Sequence, residues 1–92
     1  MIVDLVTFRV KSGKEQEFEA QQQEWAALMR RARGFINQVL MRNLENPSEY
    51  QAEVRWVNRD YRDRFSRLKL LEIFRELKFP FSSRTFSLQH VF

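Results

Sequence analysis

The sequence predicts an α+β domain with the element order βαββαβ, an antiparallel sheet that carries its helices on one face. Three observations predict it. Apolar and β-branched residues gather in four short runs, apolar residues recur at helical spacing in the stretches after the first and third runs, and a tight turn joins the second run to the third. At 92 residues the chain is sized for a single domain spanning 1–92. Nine Phe, two Trp and two Tyr can fill its core without a disulfide or metal staple.

Residues 2–10, Ile-Val-Asp-Leu-Val-Thr-Phe-Arg-Val, read as a first strand ended by a Lys-Ser-Gly turn. They are apolar on both parities, which predicts a central strand covered on both faces. Ser12 followed by Glu15 has the spacing of a capping box, so a helix is expected over 13–33. Glu15, Glu17 and Glu19 stand near its positive end and Arg30, Arg31 and Arg33 near its negative end. Gly34 supplies the left-handed residue that ends it. Phe18, Trp25, Leu28, Met29 and Ala32 form one apolar stripe. Gln22 interrupts the stripe and is expected at its edge in water, the alternative being a polar group that faces an internal pocket.

Phe35 to Leu44 alternates loosely, Glu45-Asn46-Pro47-Ser48 carries turn chemistry, and Tyr50 to Val57 follows, which together predict a β-hairpin. In its second strand Ala52, Val54 and Trp56 share one parity, and Gln51, Glu53 and Arg55 share the other. Asn58 can cap a short helix through about Phe65, continued at helical spacing by Leu68, Leu71, Phe74 and Leu77 until Pro80 stops it. Residues 78–84 read as a loop. Phe86, Leu88, His90 and Phe92 then alternate with Ser87, Gln89 and Val91 in a last strand. The order is that of the ferredoxin-like plan, whose second sheet face would be bare although Val3, Leu5 and Val57 lie on it. An exposed apolar sheet face calls for a partner, and a face-to-face homodimer is the simplest one.

Composition removes several classes of function. With no Cys, thiol catalysis and thiolate zinc sites are excluded, and one His cannot build a usual zinc site, so no metal is expected. Only Gly13 and Gly34 are present, which excludes Walker and dinucleotide loops. No stretch is apolar enough for a membrane span or leader, and a cytoplasmic protein is expected. The net charge of +4 invites a nucleic-acid reading. However, the cations between Arg59 and Lys78 are interleaved with Asp60, Asp63, Glu72 and Glu76, as on a solvated helix laced with i,i+4 pairs. Tyr50 to Val57 also lacks the aromatic signature of an RNA-recognition strand, so no nucleic-acid partner is expected.

Taken whole, the chain resembles the antibiotic biosynthesis monooxygenase-like family of dimeric α+β barrels. The resemblance is carried by Val10-Lys11-Ser12-Gly13-Lys14-Glu15, Phe18, Gly34-Phe35, Arg42-Asn43-Leu44-Glu45-Asn46-Pro47, Trp56-Val57-Asn58-Arg59, Tyr61 and Phe65. It implies a dimer in which two sheets face one another. It also implies cofactor-independent chemistry on a small aromatic or polyphenolic molecule, with a non-catalytic binding module of the same fold as the alternative. Haem-degrading relatives use a strand Asn, a Trp and a His where this chain has Val6, Phe65 and Arg75, so haem degradation is not implied. Quinone-forming relatives use a strand Asn, a Trp, a Tyr and an Arg. Here Trp56 matches, Ala52 stands in place of the Asn, Tyr61 is one position off, and Arg75 falls near the Arg.

Such an oxygenation requires stabilisation of a phenolate or enolate beside dioxygen in a dry cavity. The candidates are His90 as base or donor, Tyr61 as hydroxyl donor and Arg75 as anion partner, with Trp56, Phe8, Trp25 and Phe74 as substrate-binding walls. Each has a structural alternative: the aromatics as core, His90 as a surface residue, and Tyr61 and Arg75 as half-exposed helix residues. Phe79-Pro80-Phe81 could be a lid over the site or part of the dimer contact.

Overall fold

The computed structural model describes residues 1–67 and 81–92. Its elements are β1 (Ile2–Val10), α1 (Glu15–Arg30), β2 (Phe35–Arg42), β3 (Glu49–Trp56), α2 (Arg59–Arg67) and β4 (Phe81–Gln89). The strands form one antiparallel sheet in the order β2-β3-β1-β4, the ferredoxin-like order expected from the sequence. The expected helical continuation through Leu68, Leu71, Phe74 and Leu77 and the first three residues of the 78–84 loop, Phe79 and Pro80 among them, lie outside the described residues; the rest of that stretch, 81–84, is not a loop but the start of β4, paired with β1 from Val10 back to Thr7. Among the described residues no helix is long and apolar enough to cross a membrane.

The start of α1 departs from the expected capping box. Lys14, not Ser12, occupies the cap position and contributes no side-chain bond. The Glu half of the box does not form either: the Glu15 carboxylate accepts from the Gly13 N–H at 3.0 Å, not from that of Ser12. Gly13 is the cause: with φ at +87° it shapes a turn in which Lys14 N–H donates to the Lys11 carbonyl at 3.0 Å, and this delays the helix by two residues. Backbone N–H donors, its own first and then that of Gly13, together with the Ser48 hydroxyl, hold the Glu15 carboxyl below its ordinary range.

The helix also ends earlier than expected. Arg31 and Ala32 N–H groups donate to Leu28 and Met29, three residues back, so the last turn tightens before Gly34 turns the chain at φ +84°. Gly34 serves a second purpose, since a Cβ there would lie 2.3 Å from Cγ of Tyr61. Gly34→Ala is therefore expected to lose about 1–2 kcal/mol from the left-handed backbone alone, and more from displacing Tyr61. Gly13→Ala, which meets nothing within 4 Å, isolates the backbone component. Equal losses for the two variants in urea unfolding would show that the Tyr61 contact contributes nothing.

Even-numbered residues of β1 and β3 face the helices. The register pairs Ile2 with Trp56, Val6 with Ala52 and Phe8 with Tyr50, which gathers the core on that side. The core has two parts. One holds Ile2, Met29, Val54, Trp56 and Phe65, with Trp25, Phe35 and Tyr61 against it. The other holds Phe8, Val10, Phe18, Tyr50 and Ala52, with Val6 and Leu40 against it. Gln22 is buried rather than at the edge in water, which corrects the first expectation for it.

The opposite sheet face is open, as the bare-face argument anticipates. Val39 and Met41 pair with Glu53 and Gln51, and Phe86 and Leu88 pair with Leu5 and Val3, so all these residues share that face. Val39, Met41, Val57, Phe86 and Leu88 are all exposed there. An ion pair between Arg55 and Glu53 at 2.7 Å crosses its centre, and Arg55 also donates to Asn37 Oδ1 at 3.3 Å.

Candidate functional site

Between the two parts of the core lies a cavity of about 440 Å³. That is the size of a small-ligand site. Its apolar walls are Val6 and Phe8 from β1, Trp25 and Met29 from α1, Ala52, Val54 and Trp56 from β3, and Phe65 from α2. Alternation along β1 and β3 brings the strand residues to one side, and helical spacing on α1 sets Trp25 and Met29 above them. Trp56 is 2 % exposed and fixed by Phe35 and Phe65, at centroid distances of 5.7 and 5.4 Å. Trp25 meets Phe65 edge-on at 5.5 Å. On the β4 side Ser83 and Thr85 line the cavity.

The polar lining comes from Asp4, Gln21, Gln22, Gln38, Arg62 and Ser66. At one end Arg62 Nη1 donates to Asp4 Oδ1 at 3.2 Å and to Ser87 Oγ at 2.7 Å, and Ser87 Oγ donates to the same Asp4 oxygen at 2.7 Å. Arg62 Nε lies 2.8 Å from Asp63 Oδ1. One guanidinium is thus ion-paired to two carboxylates, while its buried Nε makes no hydrogen bond among the described residues. The solvated, i,i+4-paired helix face expected for this segment is therefore not what Arg62 makes: it turns under α2 to reach β1.

Of the residues singled out from the sequence, Trp56, Phe8 and Trp25 line this cavity together. Tyr61 does not. It stands over Gly34, its backbone N–H accepted by Asn58 Oδ1 at 3.1 Å, with the Arg64 guanidinium 5.6 Å above its ring. His90 does not reach the cavity either. The pairing of Leu5 with Phe86 puts even-numbered β4 residues on the open face, opposite to the helix-facing parity expected for His90. His90 follows the strand, is exposed, and its Nε2 meets the carbonyl of Phe92. Arg75 and Phe74 lie outside the described residues. Sequence reasoning missed Asp4 and Arg62. An Asp at a helix-facing position of a central strand was the available signal, because a charge placed there needs a buried partner.

A second cluster closes the other end of the core. Tyr50 Oη donates to Glu19 Oε2 at 2.7 Å and accepts from Arg42 Nη2 at 2.7 Å, while Arg42 also meets Glu19. Burial, followed by the Glu19 carboxylate, pushes the Tyr50 phenol above its ordinary range, and the Tyr50 contact raises that of Arg42. A hollow of about 420 Å³ adjoins it, but its two cations are taken, Arg42 by Glu19 and Arg9 by Glu49 at 3.7 Å. This cluster ties α1 to β2 and β3. Among the described residues no group of His and carboxylates is placed to hold a metal ion.

A sequence model of the family described as antibiotic biosynthesis monooxygenase matches residues 1–76. Among solved structures, an antibiotic biosynthesis monooxygenase candidate from Bordetella bronchiseptica is 27% identical, with a TM-score of 0.83 over 99% of this chain and 97% of that one. SnoaB, a cofactor-independent oxygenase from Streptomyces nogalater, is 21% identical, with a TM-score of 0.84 over 98% of this chain and 92% of its own. The haem degrader MhuD from Mycobacterium tuberculosis, solved with two haems in its active site, is 14% identical, with a TM-score of 0.80 over 100% of this chain and 97% of its own. At such identities the last two likenesses speak for the fold. Among curated proteins, none matches the sequence. The sequence match over most of the chain and the shared sheet order agree: this chain belongs to the antibiotic biosynthesis monooxygenase family.

Proposed function

We propose that the protein binds a small aromatic molecule in the cavity between sheet and helices and oxygenates it without a cofactor. The observation that carries this reading is the cavity itself, walled by Phe8, Trp25, Trp56 and Phe65 and polar at one end. Flat aromatic walls suit a flat ring, and a few convergent polar groups fix its orientation. In a monooxygenation of this kind one atom of dioxygen enters a substrate carbon and the other leaves as water. The four electrons come from the substrate as a CH2 becomes a carbonyl. The protein's part is to hold the electron-rich form of the ring and to exclude water. The only His of the chain is His90, outside the cavity, which favours a reading without haem.

A second reading has its own support. Tyr61 and His90 stand away from the cavity and Ala52 offers no polar group, so the same site can serve binding alone. An oxygen electrode separates the two. Catalytic amounts of protein added to a panel of polyphenols are expected to consume one dioxygen per substrate over many turnovers. Quenching of tryptophan fluorescence by the same compounds without oxygen uptake would leave a binding module.

The partner we propose is a second copy of the chain, docked through the open sheet face. The rows of apolar residues on β1, β2 and β4 support it, because a lone domain rarely leaves such a surface in water.

A further inference from the structure

Five arginines gather around Gly34 at one end of the domain. Arg30, Arg31 and Arg33 lead from the end of α1 into that glycine. Arg59 and Arg64 flank Tyr61, whose ring stands over the same glycine, and the Arg64 guanidinium lies 5.6 Å from that ring. The segment before α2 is tied there as well, because the Val57 N–H donates to the Gly34 carbonyl at 2.8 Å. All five arginines are exposed, none lines the cavity, and none forms an ion pair with a described residue. By contrast Arg9, Lys14, Arg42, Arg55 and Arg62 each meet a carboxylate. Of the two carboxylates on α2, Asp63 is taken by Arg62, which leaves Asp60 beside five guanidiniums. Helix electrostatics explains only part of this. Cations suit the negative end of α1, but Arg59 opens α2 at its positive end, where a cation is unfavourable.

We infer that this end of the domain is a docking surface for an acidic segment of another protein. Crowded like charges repel one another, and an anionic partner that covers them removes that repulsion. Guanidinium forks take Asp and Glu carboxylates through two parallel hydrogen bonds, so five of them on one surface fit a run of such side chains. A second copy of the chain is a poor match. Near the far end of the sheet Glu15, Glu17, Glu19 and Glu49 are already engaged, by the Gly13 N–H, Lys14, Arg42 and Arg9 in turn. Nucleic acid is a poor match too. The ring at the centre of the patch, Tyr61, is half-buried against Gly34 and covered by Arg64, which leaves no open face for a base to stack on. The patch lies outside the cavity, so it stands or falls separately from the small-molecule reading.

Fluorescence anisotropy of a labelled Glu-Ser repeat peptide, titrated with the full chain at about 0.15 M salt, should show saturable binding that weakens as salt is raised. The matching Gln-Ser peptide should not bind. Arg31→Glu combined with Arg33→Glu should weaken binding of the Glu-Ser peptide about 10-fold or more, and Arg59→Glu combined with Arg64→Glu, on α2, should do the same. Arg9→Glu combined with Lys11→Glu makes the same change in net charge at the far end of β1 and should leave the affinity within about 2-fold. Equal losses in all three double variants overturn the inference, because the peptide then reads net charge alone. Absence of binding by the unaltered chain overturns it as well. Displacement of the labelled peptide by single-stranded DNA of equal charge, or by phosphatidylserine vesicles, more readily than by unlabelled Glu-Ser peptide overturns the choice of partner and assigns the patch to nucleic acid or to a membrane surface.

Discussion

Phe18→Ala is expected to cost about 3–5 kcal/mol, the range for deleting a large aromatic from a packed interior. Phe18 is 0% exposed and anchors α1 to the sheet, with its ring 4.9 Å from Phe8 and 4.7 Å from Tyr50. Truncation removes these ring contacts at once. The hole cannot close easily, because β1 and β3 are held in register on one side and the Tyr50–Glu19–Arg42 cluster pins α1 on the other. A domain of this size holds roughly 5–14 kcal/mol in all, so the variant should sit near the limit of folding. Its Tm should fall by ~12 °C or more by the usual size scaling. Phe18→Leu, which keeps most of the volume, should recover the greater part of that loss. Calorimetry of the three proteins checks it, and a loss below ~1 kcal/mol for Phe18→Ala would mean that the cluster re-closes around the alanine.

The fold was legible because its signals are local and redundant. Alternation over Tyr50 to Trp56, the stripe from Phe18 to Met29 and the turn residues before Tyr50 each specify one element, and each appears where it was expected. Even the hairpin loop follows its local chemistry, although through a residue not assigned to the turn: Asn43 Oδ1 accepts from Glu45 and Asn46 N–H at 2.8 and 3.3 Å. Helix ends were less legible, because Gly13 shifts the first turn in a way the Ser12–Glu15 spacing does not encode.

The site was legible by half, and the division is physical. Its aromatic walls fall on the same parities and stripe as the core, so periodicity finds Phe8, Trp25 and Trp56 without knowing that a cavity lies between them. Its polar end is made by partners 58 and 83 residues apart in sequence, Arg62 with Asp4 and Ser87 with Asp4, and no local pattern joins them. His90 was misplaced for a related reason. Alternation says which residues of a strand share a face, but only the register with β1 says which face that is. Tyr61 lost its place to a glycine, since the space above Gly34 receives its ring.

Charge placed on the open sheet face is expected to split the proposed dimer. Phe86 and Leu88 on β4 pair across to Leu5 and Val3 on β1, so these four side chains form one apolar patch, with Val39 and Met41 on β2 as a second. Between them runs the polar row of β3, where Glu53 and Arg55 already satisfy each other at 2.7 Å. A partner that covers this face therefore gains apolar burial on both sides of the row, with Arg84 held over the Phe86 ring at 4.9 Å. Leu88→Glu inserts a carboxylate with no cation assigned to it, and two-fold symmetry inserts it twice. An unpaired charge buried in an interface costs ~3–5 kcal/mol, which weakens association by roughly 100-fold or more. Light scattering at micromolar concentration should give the mass of a dimer for the unaltered chain and of an 11.3 kDa monomer for Leu88→Glu. Leu44→Glu, a change at a fully exposed residue outside the strands, should leave the dimer intact. A monomer in the unaltered protein would sink the face-to-face arrangement while leaving the fold of each chain, and its cavity, where they are.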